Sequence, residues 1–146
     1  MKKSFFIFLC FSFCHSKINV DLLSFGEGVF DFFHEKHRTL QYRIEYKSKE
    51  EWNTFRPMLG AAANIGGSVY LYGGFGLDWV FKNRFVFSPN FALGYYIQGK
   101  GKDLGFPMEF RSGLEIGFQT KDLCRWGVHF YHISNAGLGH KNPGEE

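Results

Sequence analysis

The residues of this chain that could do covalent chemistry lie together in its last stretch. From Gly127 onward it reads Gly127-Val128-His129-Phe130-Tyr131-His132-Ile133-Ser134-Asn135-Ala136-Gly137-Leu138-Gly139-His140-Lys141-Asn142-Pro143-Gly144-Glu145-Glu146. A strand-like run delivers His132 and Ser134 two residues apart. His132 is a candidate base and Ser134 a candidate nucleophile. A carboxylate at the end of the run, Glu145 or Glu146, is a candidate acid to orient the His. The backbone N–H groups near Ala136 and Gly137, with the Asn135 or Asn142 side chain, are candidate oxyanion donors. Together these are the parts of a serine hydrolase. A His-x-Ser pair alone is common, and its plain reading is a strand that ends at an interface. The plain reading of both Asn residues is turn capping.

The remaining chemistry-bearing residues point elsewhere. His129 falls on the opposite face of the same run and reads as a satisfied interior group, and His140 as a solvated loop residue. Asp78, Glu109 and Glu115 read as interior ion-pair partners. Cys10 and Cys14 lie near the N-terminus and only Cys124 lies beyond it. No CxxC or Cys/His spacing suggests a metal, and no cofactor is expected.

The elements that must position His132 and Ser134 are strands. Leu40, Tyr42, Ile44 and Tyr46 alternate with Gln41, Arg43, Glu45 and Lys47, a period of two over eight residues. The pattern recurs in 67–81, 84–98 and 106–119. Adding 21–33, 54–65 and 124–135 makes seven visible strands. Turn residues join them at Gly66-Gly67, Lys82-Asn83, Lys121-Asp122 and the longer Gly99–Gly105 loop. Pro57, Pro89 and Pro107 should mark strand starts or bulges, because proline cannot donate to a ladder.

Composition decides between architectures. At 146 residues the chain is one domain at most, and its aromatic share of 20% stands beside 18 Gly. One strand face is apolar and Phe-rich. The other carries Arg43, Glu45, Arg111, Glu115 and several Gly. That second face suits the interior of a narrow membrane barrel, where charges pair and Gly makes room. Trp79, Tyr95 and Trp126 would be interfacial anchors. The rival is a soluble, lipocalin-like barrel of inverted polarity. On the lipid-facing reading, His132 and Ser134 stand on the outer wall, where an acyl chain already lies.

Residues 1–16 read as a secretory signal. Lys2-Lys3 are its charged part, Ser4 to Cys14 its apolar core, and cleavage follows Ser16. The apolar run is shorter than the roughly 20 residues a spanning helix needs. Residues 17–146 would then be the barrel domain. The formal charge is +3; without Lys2 and Lys3, 15 basic residues face 14 acidic ones, a balance that argues for no nucleic-acid partner. Single-chain barrels normally have an even number of strands, so an eighth strand is expected to follow Glu146.

The stretch His132-Ile133-Ser134-Asn135-Ala136-Gly137-Leu138, followed by Asn142-Pro143-Gly144 and an acidic residue, resembles the PagL-like lipid A 3-O-deacylase family. Phe110-Arg111-Ser112-Gly113-Leu114-Glu115-Ile116-Gly117 is similar to that family's penultimate strand. Gly28-Val29-Phe30-Asp31-Phe32 also fits. The resemblance implies an all-β, antiparallel up-and-down transmembrane barrel of eight strands in the Gram-negative outer membrane. It implies a Ser134-His132-Glu146 triad that hydrolyses the ester-linked 3-hydroxyacyl chain at the 3-position of lipid A. The partners implied are lipid A and outer-membrane lipid, without metal or cofactor; a homodimer is left open. The alternative is a non-catalytic small barrel, structural or adhesive.

Overall fold

The structure, a computed structural model, describes residues 8–12, 22–32, 38–50, 52, 55–81 and 84–141. The Lys82-Asn83 turn, Asn142, Glu145 and Glu146 lie outside the described residues. Among the described residues nine strands form one antiparallel sheet: β1 (Phe8–Ser12), β2 (Leu22–Phe30), β3 (Thr39–Lys47), β4 (Arg56–Asn64), β5 (Val69–Gly76), β6 (Trp79–Val80), β7 (Phe85–Ile97), β8 (Met108–Gln119) and β9 (Arg125–Ser134). Their order is β5-β4-β3-β2-β1-β9-β8-β7-β6. A further β5–β7 pairing closes the sheet into a barrel, with β6 a short extension beside β7. Among the described residues no helix is long and apolar enough to cross a membrane, which says nothing of crossing by strands.

The seven expected strands appear as β2, β3, β4, β5 with β6, β7, β8 and β9. One expectation needs correction. The run 67–81 is broken at Leu77-Asp78, because Asp78 leaves the wall to meet interior cations. The ring also has an eighth member within the described residues, where seven were visible in the sequence. It is β1, which lies in the stretch read as a leader. Phe8–Ser12 pairs with Ser24–Gly28 on one side and Arg125–His129 on the other. The physical reason is the edge: β2 and β9 each present a row of N–H and C=O groups that need a partner.

Alternation sets the polarity of the wall. On β3, Leu40, Tyr42 and Ile44 are exposed, while Gln41, Arg43, Glu45 and Lys47 are buried. On β8, Met108 and Phe118 are exposed, while Glu109, Arg111 and Glu115 are buried. The barrel is thus apolar outside and charged inside, the reverse of a soluble domain.

The interior charges are cross-linked. Asp78 accepts from Lys47 (3.1 Å), from Arg125 (3.1 Å) and from Arg56. Lys47 also reaches Ser88 (3.0 Å) and Glu115 (3.6 Å). One level further along the barrel, Arg111 donates to Glu45 (2.9 Å) and Asn90 (3.0 Å), and its guanidinium lies 4.0 Å from the Tyr72 ring centre. Tyr72 donates its hydroxyl to the same Glu45 (2.8 Å). Glu109 departs from the expectation: it is interior, but among the described residues it has no ion pair, and its Oε1 has no hydrogen-bond partner.

Glycine makes this interior possible at two positions. A Cβ on Gly60 would sit 2.3 Å from the Tyr72 ring, and one on Gly94 would sit 2.5 Å from the Tyr70 ring. Proline falls where no ladder donor is needed. Pro57 is the second residue of β4, and Pro107 immediately precedes β8. Pro89 lies where β7 passes from β6 to β5 as its partner.

Replacing Arg111 by Ala should leave Glu45 buried without its closest cation. A loss of about 3–5 kcal/mol is expected for a broken buried pair. It should appear as a lower urea midpoint in detergent micelles, read by heat-modifiable gel migration. An unchanged midpoint would show that the interior network does not hold the barrel.

Candidate active site

β9 carries the site because its inner face is locked. His129 and Ile133 are fully buried, and Tyr131 nearly so. His129 lies between Arg43 and Asn90, as the interior reading of that residue expected. The Tyr131 hydroxyl bonds Gln41. A slip of one residue would turn His129 outward, so the register is firmly set. His132 and Ser134 therefore project from the outer wall at the rim, both half-buried.

Their Cα atoms are about 7 Å apart along the strand, the spacing of alternate residues on one face. No hydrogen bond joins them, and the Ser134 hydroxyl has no partner among the described residues. Across the β8–β9 ladder, Ser112 is directly opposite His132 and Phe110 is opposite Ser134. A cleft of about 520 Å³ opens between these strands, lined by Ser112, Leu114, Ile116, Phe130 and His132 among others. It begins at the His and continues over an apolar wall.

The chain turns sharply after Ser134. Leu138 N–H bonds the Asn135 carbonyl (3.0 Å), and the two residues between have positive φ: Ala136 at 53° and Gly137 at 82°. This is the pattern of a type I′ turn. For Gly137 the conformation is cheap; for Ala136 it costs about 1 kcal/mol.

Asn135 is fully buried, and its amide is completely engaged. Nδ2 donates to the carbonyls of Leu104 and Lys141, both at 2.9 Å, and Oδ1 accepts from Gly137 N–H at 2.9 Å. The side chain thus clasps the turn to the 98–107 loop. A surface ion pair between Lys141 and Asp103 (2.6 Å) closes the same seam. That contact, with the Gly105 N–H, holds the Asp103 carboxyl below its usual range. The loop is fixed further by Lys102, which pairs with buried Asp31 (3.1 Å), and by the Tyr96 hydroxyl on the Lys102 carbonyl (2.9 Å).

The structure therefore brings His132, Ser134, Asn135, Ala136 and Gly137 together at one rim. Asn142, Glu145 and Glu146 lie outside the described residues. Sequence reasoning missed the 98–107 loop as the partner of Asn135, which no local signal reveals. It also missed Ser112, although a signal existed: a serine interrupts the apolar series Met108, Phe110, Leu114, Ile116, Phe118. Among the described residues no three His, Cys, Asp or Glu side chains gather as metal ligands would.

A small antiparallel barrel with its charges inside and a His/Ser pair on its outer rim is a narrow class. The family model for lipid A 3-O-deacylase (PagL) matches residues 32–146, and the chain belongs to that family. No curated protein and no solved structure matches it.

Replacing Asn135 by Ala should release the clasp without opening the barrel. Amide exchange at Gly137 and in 98–107 should speed up at least tenfold, while the global unfolding free energy falls by about 1–3 kcal/mol. Equal exchange in both proteins would show that the clasp does not order the rim.

Proposed function

We propose that this chain is an outer-membrane lipid A 3-O-deacylase that works as a serine esterase. The observation that carries the reading is the outward projection of His132 and Ser134 at the mouth of an apolar cleft, in a chain of this family. A soluble hydrolase would keep such a pair in a pocket facing water. Here the pair faces outward, where the acyl chains of a lipid would lie against the wall.

In this mechanism Glu146, or Glu145, accepts from one nitrogen of His132 and fixes its tautomer. The other nitrogen takes the Ser134 proton as the hydroxyl oxygen attacks the ester carbonyl at the 3-position. The tetrahedral intermediate collapses, and its sugar oxygen leaves with the proton from His132. Water, deprotonated by the same His, then cleaves the acyl-enzyme and releases a 3-hydroxy fatty acid. The oxyanion donors are the Ala136 N–H and the Asn142 side chain. Asn135 and the Gly137 N–H are already bonded to each other and shape the turn, so either would have to exchange a bond to contribute. No metal or cofactor takes part.

The membrane placement rests on the exposed apolar belt and on its aromatic ends. Trp79 and Trp126 lie at one end, Tyr95 towards the other, and each is near half exposed. Export follows from reading residues 1–16 as a signal. Cleavage after Ser16 would remove the segment that pairs with β2 and β9, so another strand would have to take that place.

The test is mass spectrometry of lipid A from Gram-negative cells that produce the chain, beside a Ser134→Ala version. The expected result is lipid A short of one 3-hydroxyacyl group with the unchanged protein, and a rate at least about 10³-fold lower for Ser134→Ala. Intact lipid A in both, with folded barrel in the membrane, would leave the structural or adhesive barrel as the function.

A further inference from the structure

On the outward faces of β7, β8 and β9 nearly every side chain is apolar or aromatic. The exceptions are Ser112, His132 and Ser134. They are neighbours: Ser112 faces His132 directly across the ladder, and Ser134 follows two residues on. Directly opposed residues on one face hold their Cβ atoms about 4.5–5.5 Å apart. Ser112 is exposed between Phe110 and Leu114, and it lines the same cleft as His132. Among the described residues its hydroxyl has no hydrogen-bond partner.

A hydroxyl on an apolar wall is unfavourable unless something satisfies it. His132 and Ser134 are accounted for by the esterase chemistry; Ser112 is not. Its position relative to the reacting bond says what could satisfy it. With the ester carbonyl at Ser134, the acyl chain must pass His132 and Ser112 before it reaches Leu114, Phe130 and Ile116. On a 3-hydroxyacyl chain the first polar group beyond the ester is the hydroxyl on the third carbon, two carbons from the carbonyl. That group comes level with Ser112 just before the cleft turns wholly apolar.

We propose that Ser112 is a specificity-determining residue whose hydroxyl hydrogen-bonds the 3-hydroxyl of the acyl chain being released. The inference rests on the deacylase reading and deepens it: it distinguishes 3-hydroxyacyl esters from plain acyl esters at the same position. A plain chain would enter the same cleft and leave Ser112 unsatisfied. One neutral hydrogen bond of this kind corresponds to about tenfold in kcat/KM.

The experiment uses the full chain in mixed micelles with two synthetic probes. Both are diacylated glucosamine phosphates, one with a 3-hydroxymyristoyl and one with a myristoyl ester at the 3-position. The unchanged protein should favour the hydroxylated probe about tenfold. Ser112→Ala should bring the ratio close to one, mainly by losing rate on the hydroxylated probe, and Ser112→Thr should restore most of the preference. The ratio is taken within each preparation, so the folded fraction cancels. A Ser112→Ala ratio equal to that of the unchanged protein overturns the assignment. So does an equal fall on both probes, which would instead make Ser112 a residue that positions His132. If the unchanged protein cleaves neither probe and equals Ser134→Ala, the deacylase reading itself fails and this inference falls with it.

Discussion

The structure depends on the closure of one hydrogen-bonded ladder. Each strand of the wall has two edges, and in apolar surroundings an unpaired edge leaves a row of backbone groups without partners. Here β5 closes onto β7, and β1 bridges β2 and β9. Closure at this small circumference then dictates what fits inside. Tyr70 and Tyr72 find room because Gly94 and Gly60 carry no side chain. The charges that remain must satisfy one another, because little water can. Asp78 gathers cations from β3, β4 and β9, so a single carboxylate ties together strands far apart in sequence.

This interior is what makes an outward-facing site feasible. A side chain on an outer wall has no pocket to hold it, so its direction must come from the strand beneath. His129, Tyr131 and Ile133 anchor β9 from within, and His132 and Ser134 take their outward direction by alternation. The site is thus positioned by residues that never touch it. The same logic places Ser112, whose neighbours Arg111 and Gly113 belong to the interior network and its close packing.

Beyond the strand the rim is organised differently. A buried asparagine joins two loops through three bonds to backbone, and a non-glycine residue is held at positive φ beside it. Backbone strain of this kind persists only when the surroundings over-determine it. Asn135 and the 98–107 loop supply that constraint. The arrangement explains how a turn directly after the candidate nucleophile can be ordered while lying at the edge of the barrel. It also shows the Asn135 side chain to be engaged with backbone groups of the turn and of Leu104 and Lys141.

Much of this was legible in the sequence because strand alternation is a local signal. The faces of β3, β5, β7 and β8 follow from a period of two, and charges with glycines on one face announce an inverted barrel. The His132 and Ser134 pair, with its Asn and Gly context, is likewise contiguous and can be read directly. What only the tertiary structure decided is which distant residues meet. The cations around Asp78, the break at Leu77-Asp78, the bonds of Asn135 to Leu104 and the placing of Ser112 opposite His132 all depend on register between strands. So does the pairing of Phe8–Ser12 into the gap between β2 and β9. Period and turn chemistry act within a few residues, whereas register and ring closure are set by the whole barrel at once, and no short stretch of sequence encodes them.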